Sequence, residues 1–212
     1  MSTWGCQTVP YVTAPPPPTK PGGIYHRVEA GQTLWRISKL YNIDLDDIIA
    51  ANNMPDAAKV SAGQLLFIPG ARQTLIEDKS VNVNYNQQDN GFIWPVKGKI
   101  TSYFMDASGP LVNKGINIQA GFGAQVVAAR SGTVCFVGES LQNYGKMLII
   151  DHGDGLSSVY ARNSRILVRP GERINQGAPV AIAGQNKIAS AAELHFEIRK
   201  GHRPKNPLYY LP

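Results

Sequence analysis

Imidazole and thiolate groups are the side chains best able to hold a metal or attack a carbonyl, and the chain carries four histidines and two cysteines. His26 and His202 fall at ligand spacing with no other candidate. His152 sits in the turn Asp151-His152-Gly153-Asp154-Gly155 and reads as structural or solvated. His195 lies between Leu194 and Phe196, and a lone histidine in an apolar strand reads as a satisfied structural residue rather than a ligand. Cys135, in Gly132-Thr133-Val134-Cys135-Phe136-Val137-Gly138, reads as a small buried residue of a strand. Two cysteines are too few for a disulfide scaffold.

The elements that must position these groups fall into four stretches. The 212 residues are 43% hydrophobic and 17% charged, which suits a folded protein of one large or two modest domains. A net charge of +6 and a pI near 9.3 favour a polyanion without choosing among nucleic acid, anionic lipid and acidic cell-wall polymer. No run of five Lys/Arg occurs, so a nucleic-acid partner is not expected. No apolar run reaches the roughly 18 residues of a membrane-crossing helix. Residues 1–23 form a tail in which Pro15 to Pro18 favour a stiff, solvated spacer. Residues 24–70 read as strand, helix, helix, strand: the alternation from Ile24 to Val28, an N-cap at Thr33, helical spacing of Leu34, Ile37, Ser38 and Tyr41, a second N-cap at Asp44 with Asp47 completing a capping box, and Leu65-Leu66-Phe67-Ile68-Pro69. Residues 71–91 are a polar linker. Residues 92–212 offer eight short strands with glycine turns: Ile100–Tyr103, Ile116–Ile118, Gln125–Ala128, Gly132–Val137, Lys146–Asp151, Ser157–Ala161, Pro179–Ala183 and Leu194–Arg199. The expected architecture is a small α/β unit followed by a mainly antiparallel β domain.

The stretch Tyr25-His26-Arg27-Val28-Glu29-Ala30-Gly31-Gln32-Thr33-Leu34-Trp35-Arg36-Ile37-Ser38, with Ala50-Ala51-Asn52-Asn53 and Gly63-Gln64-Leu65-Leu66-Phe67-Ile68-Pro69, resembles a LysM module over its whole length. LysM modules bind N-acetylglucosamine-containing glycans such as peptidoglycan. The resemblance implies a glycan groove between Gly31, Gln32, Thr33, Leu34 on one side and Asn53, Met54, Pro55 on the other, with Leu34 and Met54 offering apolar contact.

The segments Trp94-Pro95-Val96, Asn113-Lys114-Gly115-Ile116-Asn117, Tyr160-Ala161-Arg162 and Leu194-His195-Phe196-Glu197-Ile198-Arg199 resemble, in order and spacing, the lysostaphin-type (LytM) zinc peptidases that cut peptidoglycan cross-links. An active member takes zinc with the His and Asp of H-x-x-x-D and the last His of H-x-H. Here Asn113 and Asn117 stand at the first two positions, Arg162 replaces a catalytic His, Glu193 replaces the first His of H-x-H, and only His195 remains. Amides are weak zinc donors and a guanidinium repels the ion, so no metal, cofactor or catalytic residue is expected. Asn113, Asn117, Arg162, Glu193 and His195 would line a groove suited to recognition.

The metal-less relatives in this family are activators of murein amidases. The resemblance implies a non-catalytic activator, with peptidoglycan strands and an N-acetylmuramoyl-L-alanine amidase as partners. A peptidoglycan-binding structural protein and an endopeptidase with an unusual site remain as alternatives. Cys6, after Trp4-Gly5 and before the proline-rich tail, resembles a bacterial lipoprotein cysteine, although only five residues precede it. Lipidation there would attach the chain to a membrane, in a Gram-negative periplasm and at the outer membrane.

Overall fold

The computed structural model describes residues 22–55, 60–73, 91–107, 111–185 and 192–212. Cys6, the proline-rich tail and most of the polar linker lie outside the described residues.

In the N-terminal unit, β1 (Gly23–Arg27), α1 (Leu34–Tyr41), α2 (Leu45–Ala51) and β2 (Leu65–Pro69) follow in the expected order. The strands pair antiparallel with Tyr25 opposite Phe67. Thr33 caps α1 by accepting from the Arg36 N–H at 3.2 Å, and Asp44 caps α2 by accepting from the Asp46 N–H at 2.9 Å. Between the helices, Asn42 takes a left-handed φ of 52°, a conformation Asn tolerates better than most residues, and so turns the chain sharply. Asn52 ties the end of α2 to β2: its Nδ2 donates to the Phe67 carbonyl and its Oδ1 accepts the Phe67 N–H, both at 2.7 Å. Leu34, Ile37, Ile48, Leu66 and Ile68 are fully buried between the helices and the sheet. Truncating any of these to Ala would cost about 2–5 kcal/mol.

The second unit contains β3 (Lys99–Ser102), β4 (Ile116–Ala120), β5 (Gln125–Val127), β6 (Gly132–Leu141), β7 (Gly145–Asp151), β8 (Leu156–Ile166), β9 (Arg173–Ile174), β10 (Pro179–Gln185), β11 (Ala192–Lys200) and β12 (Arg203–Lys205), then a 3₁₀ turn at Pro207–Tyr209. The eight strands read from the sequence are all present. The sheet runs β3-β4-β11-β10-β8-β7-β6-β9, with β11 also paired to β8. Every strand pairing is antiparallel.

Cys135 departs from expectation: it is exposed. Val134 beside it is fully buried, so strand alternation turns the thiol to the opposite, solvent-facing side, and the register slip between Val134 and Phe136 leaves Phe136 exposed as well.

The two units touch through an aromatic and cationic stack. Arg130, 6% exposed at its side chain and paired with Asp154 at 2.8 Å, places its guanidinium 5.3 Å from the Trp35 ring and 5.5 Å from the Phe92 ring. Phe92 also meets Tyr210 edge-on at 5.7 Å. Around this centre Lys200 pairs with Asp44, Lys205 with Asp46, and the Tyr209 hydroxyl donates to the Pro55 carbonyl at 2.8 Å.

Candidate functional site

Alternate residues of a strand share a face, so Glu193, His195, Glu197 and Arg199 form one row along β11. Register sets Asn117 of β4 and Ala161 of β8 on either side of His195. The row runs from a half-exposed mouth to a buried floor.

The floor is built around Glu197, whose side chain has no exposure. Its Oε1 accepts from the Tyr144 hydroxyl at 2.9 Å and faces His195 Nε2 at 2.9 Å; its Oε2 accepts from Arg199 Nε at 2.6 Å. Burial pushes the Glu197 carboxyl up, but the hydrogen bond and charge of His195, reinforced by Arg199, outweigh it and hold the group below the usual carboxylate range. Burial and the adjacent Glu197 charge push the Tyr144 phenol up, so it stays a donor. His195 Nδ1 lies 2.8 Å from Asn117 Oδ1, and the Tyr144 ring stands edge-on to the imidazole at 5.6 Å.

At the mouth, Arg162 pairs with Glu193 Oε1, while Glu193 Oε2 accepts from the Thr101 hydroxyl at 2.9 Å. Arg162 has φ of 63°, in the left-handed region, and its N–H donates to the Tyr144 carbonyl at 2.8 Å.

Asn113 sits in the β3–β4 loop, where it donates to Ser102 Oγ at 2.8 Å; that hydroxyl in turn donates to Asp106 Oδ2 at 2.9 Å. Asn113 also caps the loop by accepting the Gly115 N–H at 3.1 Å. The structure thus joins Asn117 to His195 and Arg162 to Glu193, and gives Asn113 a loop-shaping network of its own. Sequence reasoning missed Glu197, Arg199 and Tyr144. The alternation Glu193-x-His195-x-Glu197-x-Arg199 carries a signal for the first two; nothing local marks Tyr144, 53 residues away from Glu197.

These donors do not fit the zinc that the peptidase resemblance would imply. Both His195 nitrogens face protein partners, and both Glu193 oxygens are engaged. Amide side chains occupy two positions where imidazole or carboxylate would be required. Among the described residues no three His, Cys, Asp or Glu gather to hold an ion. A cavity of about 370 Å³ beside Arg130, His152 and Arg173 is lined by none of the groove residues.

In the N-terminal unit the expected glycan rim is only partly at the surface. Leu34 is fully buried, so the apolar contact expected of it is not available: its side chain belongs to the core beneath α1. Gln32 is buried too, its Oε1 accepting from the Glu29 N–H and facing His26 Nε2, both at 2.9 Å. Thr33 is buried and caps α1. Gly31, Asn53 and Pro55 are exposed and Met54 is half-buried, so they are what a ligand could touch. Gly31 and Asn53 hold positive φ, at 81° and 49°, and turn their loops outward.

Comparison with known proteins matches residues 26–69 to the LysM domain and residues 111–207 to peptidase family M23. The lipoprotein YgeR of Escherichia coli K12 is 30% identical over 92% of this chain and 83% of its own length. The murein hydrolase activator NlpD of the same organism is 39% identical over 56% of this chain, which spans 31% of that protein. A zinc-containing peptidase from Vibrio cholerae superposes with a TM-score of 0.51 at 26% identity, over 56% of this chain and 39% of that one.

Proposed function

Because the chain belongs to the same family as the lipoprotein YgeR, a LysM module joined to an M23-type domain, we propose that it is a non-catalytic activator of peptidoglycan amidases. The LysM module holds it on glycan strands through the surface of Gly31, Asn53, Met54 and Pro55. The degenerate cleft engages an N-acetylmuramoyl-L-alanine amidase and favours its open form by binding that form more tightly than the closed one. The activator name of a relative supports the amidase partner. The lipoprotein names of relatives support acylation at Cys6 and a place at the periplasmic face of a Gram-negative outer membrane.

One observation carries the non-enzymatic part of this reading. Neither imidazole nitrogen of His195 is left to a metal, since one faces Asn117 and the other Glu197. Without a bound ion, water keeps its high pKa and a metal-assisted hydrolytic route has no nucleophile.

The test incubates dye-labelled peptidoglycan with the purified chain, with an amidase of the same organism, and with both. Release is expected only to rise above the amidase's own rate when both are present. Release by the chain alone, or stoichiometric zinc in the protein as purified, refutes the reading. Glycan binding with no stimulation would instead indicate a structural cell-wall protein.

A further inference from the structure

This inference rests on the activator reading and names how the cleft holds its partner. We propose that the Arg162 guanidinium is the anchoring point for a carboxylate on the amidase, and that Glu193 of the chain itself is its resting occupant.

Three observations converge on that pair. The Arg162 side chain is 41% exposed and that of Glu193 13%, so the cation is the outward member. Its backbone is held in the left-handed region by the β8 ladder and by the bond from its N–H to Tyr144, an unfavourable conformation for a residue with a Cβ. That geometry fixes the direction in which a long, otherwise adaptable side chain leaves the sheet. Glu193 has a second partner in Thr101, so giving up the guanidinium does not strand its carboxylate. The resting pair is therefore built to exchange.

The energetics favour exchange when a partner docks. A half-exposed ion pair contributes little because water screens it. The same guanidinium, covered by a docked surface and gripping a carboxylate through two parallel N–H donors, is far stronger. Charge at this end of the sheet has the matching sign. Lys99 is exposed and pairs with Gln119, which in turn pairs with Glu193 on the other side; Lys114 is exposed beside Asn113. The loop between β3 and β4 adds exposed apolar side chains at Tyr103, Met105, Leu111 and Val112. The occupant that fits is a segment of the partner protein with an acidic residue flanked by apolar ones.

The experiment measures the concentration of the full chain giving half-maximal stimulation of the amidase on purified peptidoglycan. Glu193→Gln keeps an acceptor for Thr101 and removes the competing charge, so that concentration should fall by roughly three- to tenfold. Arg162→Gln should raise it by at least about tenfold, with Arg162→Lys intermediate because an ammonium lacks the planar fork. Arg162→Glu should be rescued by an Asp/Glu→Arg change on the amidase surface. Unchanged thermal midpoints separate these effects from unfolding. If the wild-type chain stimulates and Arg162→Gln stimulates equally well, this inference is overturned while the activator reading stands. If Arg162→Gln instead loses binding to amidase-free peptidoglycan, the carboxylate belongs to the cell wall and the inference is again overturned. If the wild-type chain does not stimulate, the activator reading falls and takes this one with it.

Discussion

The floor and the mouth of the cleft use the same pair of residue types, an arginine and a glutamate, and the resemblance stops there. Arg199 and Glu197 meet at 2.6 Å with the carboxylate wholly buried, and His195 and Tyr144 complete its coordination. Arg162 and Glu193 meet where one partner faces solvent. A charge taken out of water must have every acceptor site filled, so the floor cannot change partners without breaking. A charge left near water loses little by changing partners, so the mouth can. Burial, rather than residue identity, divides the part of the cleft that maintains the fold from the part free to recognise something.

Mutation tests this division from its strong end. Glu197→Ala should leave the half-buried Arg199 and the buried His195 without their shared carboxylate and destabilise the domain by about 3–5 kcal/mol, seen as a lowered denaturation midpoint in urea. A drop no greater than that of Arg162→Ala would erase the distinction.

Acid provides the second test. His152 is half-buried, its nitrogens facing the Ser131 carbonyl and the Ser158 hydroxyl at 2.9 Å. Burial, aided by Arg130 and opposed by the Ser131 carbonyl and the charges of Asp154 and Asp151, pulls its pKa down to about 4 from 6.5. The folded chain therefore refuses a proton that the unfolded chain accepts between those values. Stability is complete above pH 6.5 and falls as the pH drops toward 4, by on the order of 3 kcal/mol. Glu197, whose carboxyl is held low, adds its own loss only as pH falls below the 4.5 of the unfolded chain. Urea titrations between pH 6.5 and 5 should show this loss, and His152→Gln should flatten the slope.

The mouth should respond weakly in stability whatever it does in function. Arg162→Ala and Glu193→Ala should each change stability by less than about 1 kcal/mol. Smallest of all, Arg162→Gly relieves the left-handed backbone and should leave the midpoint unchanged or raise it slightly, by less than about 1 kcal/mol, while removing the guanidinium. A large loss of stability in that variant would show the mouth to be structural after all.

What the sequence allowed to be read follows how local each signal is. The helices after Thr33 and Asp44 and the eight strands come from periodicity and turn residues within ten or so positions, and they appear with only their ends shifted. Asn113 and Asn117, at positions where the resemblance implies zinc donors, and Arg162, where it implies a catalytic histidine, were legible because they stand in recognisable segments. Cys135 misled because an apolar run does not say which face of its strand is covered, and here the covered face is the one Val134 takes. Leu34 misled because one residue of a turn-and-helix start can serve either the core or a ligand, and only packing decides. The buried carboxylate cluster and the Trp35–Arg130 stack depend on contacts between distant strands and between the two units, where spacing along the chain says nothing.

Residues 206–212 close against their own sheet, Tyr210 packing on Phe92 and the Pro212 carbonyl accepting from the Trp94 indole at 2.9 Å, and reach the LysM unit where the Tyr209 hydroxyl donates to the Pro55 carbonyl. Tyr209 is one clasp among several, because Trp35 against Arg130, Asp44 with Lys200 and Asp46 with Lys205 join the same two units from residues before 206, so losing the Tyr209 hydroxyl would loosen the seam without opening it. Several separate contacts therefore agree on one arrangement of the two units, and no single side chain can undo it.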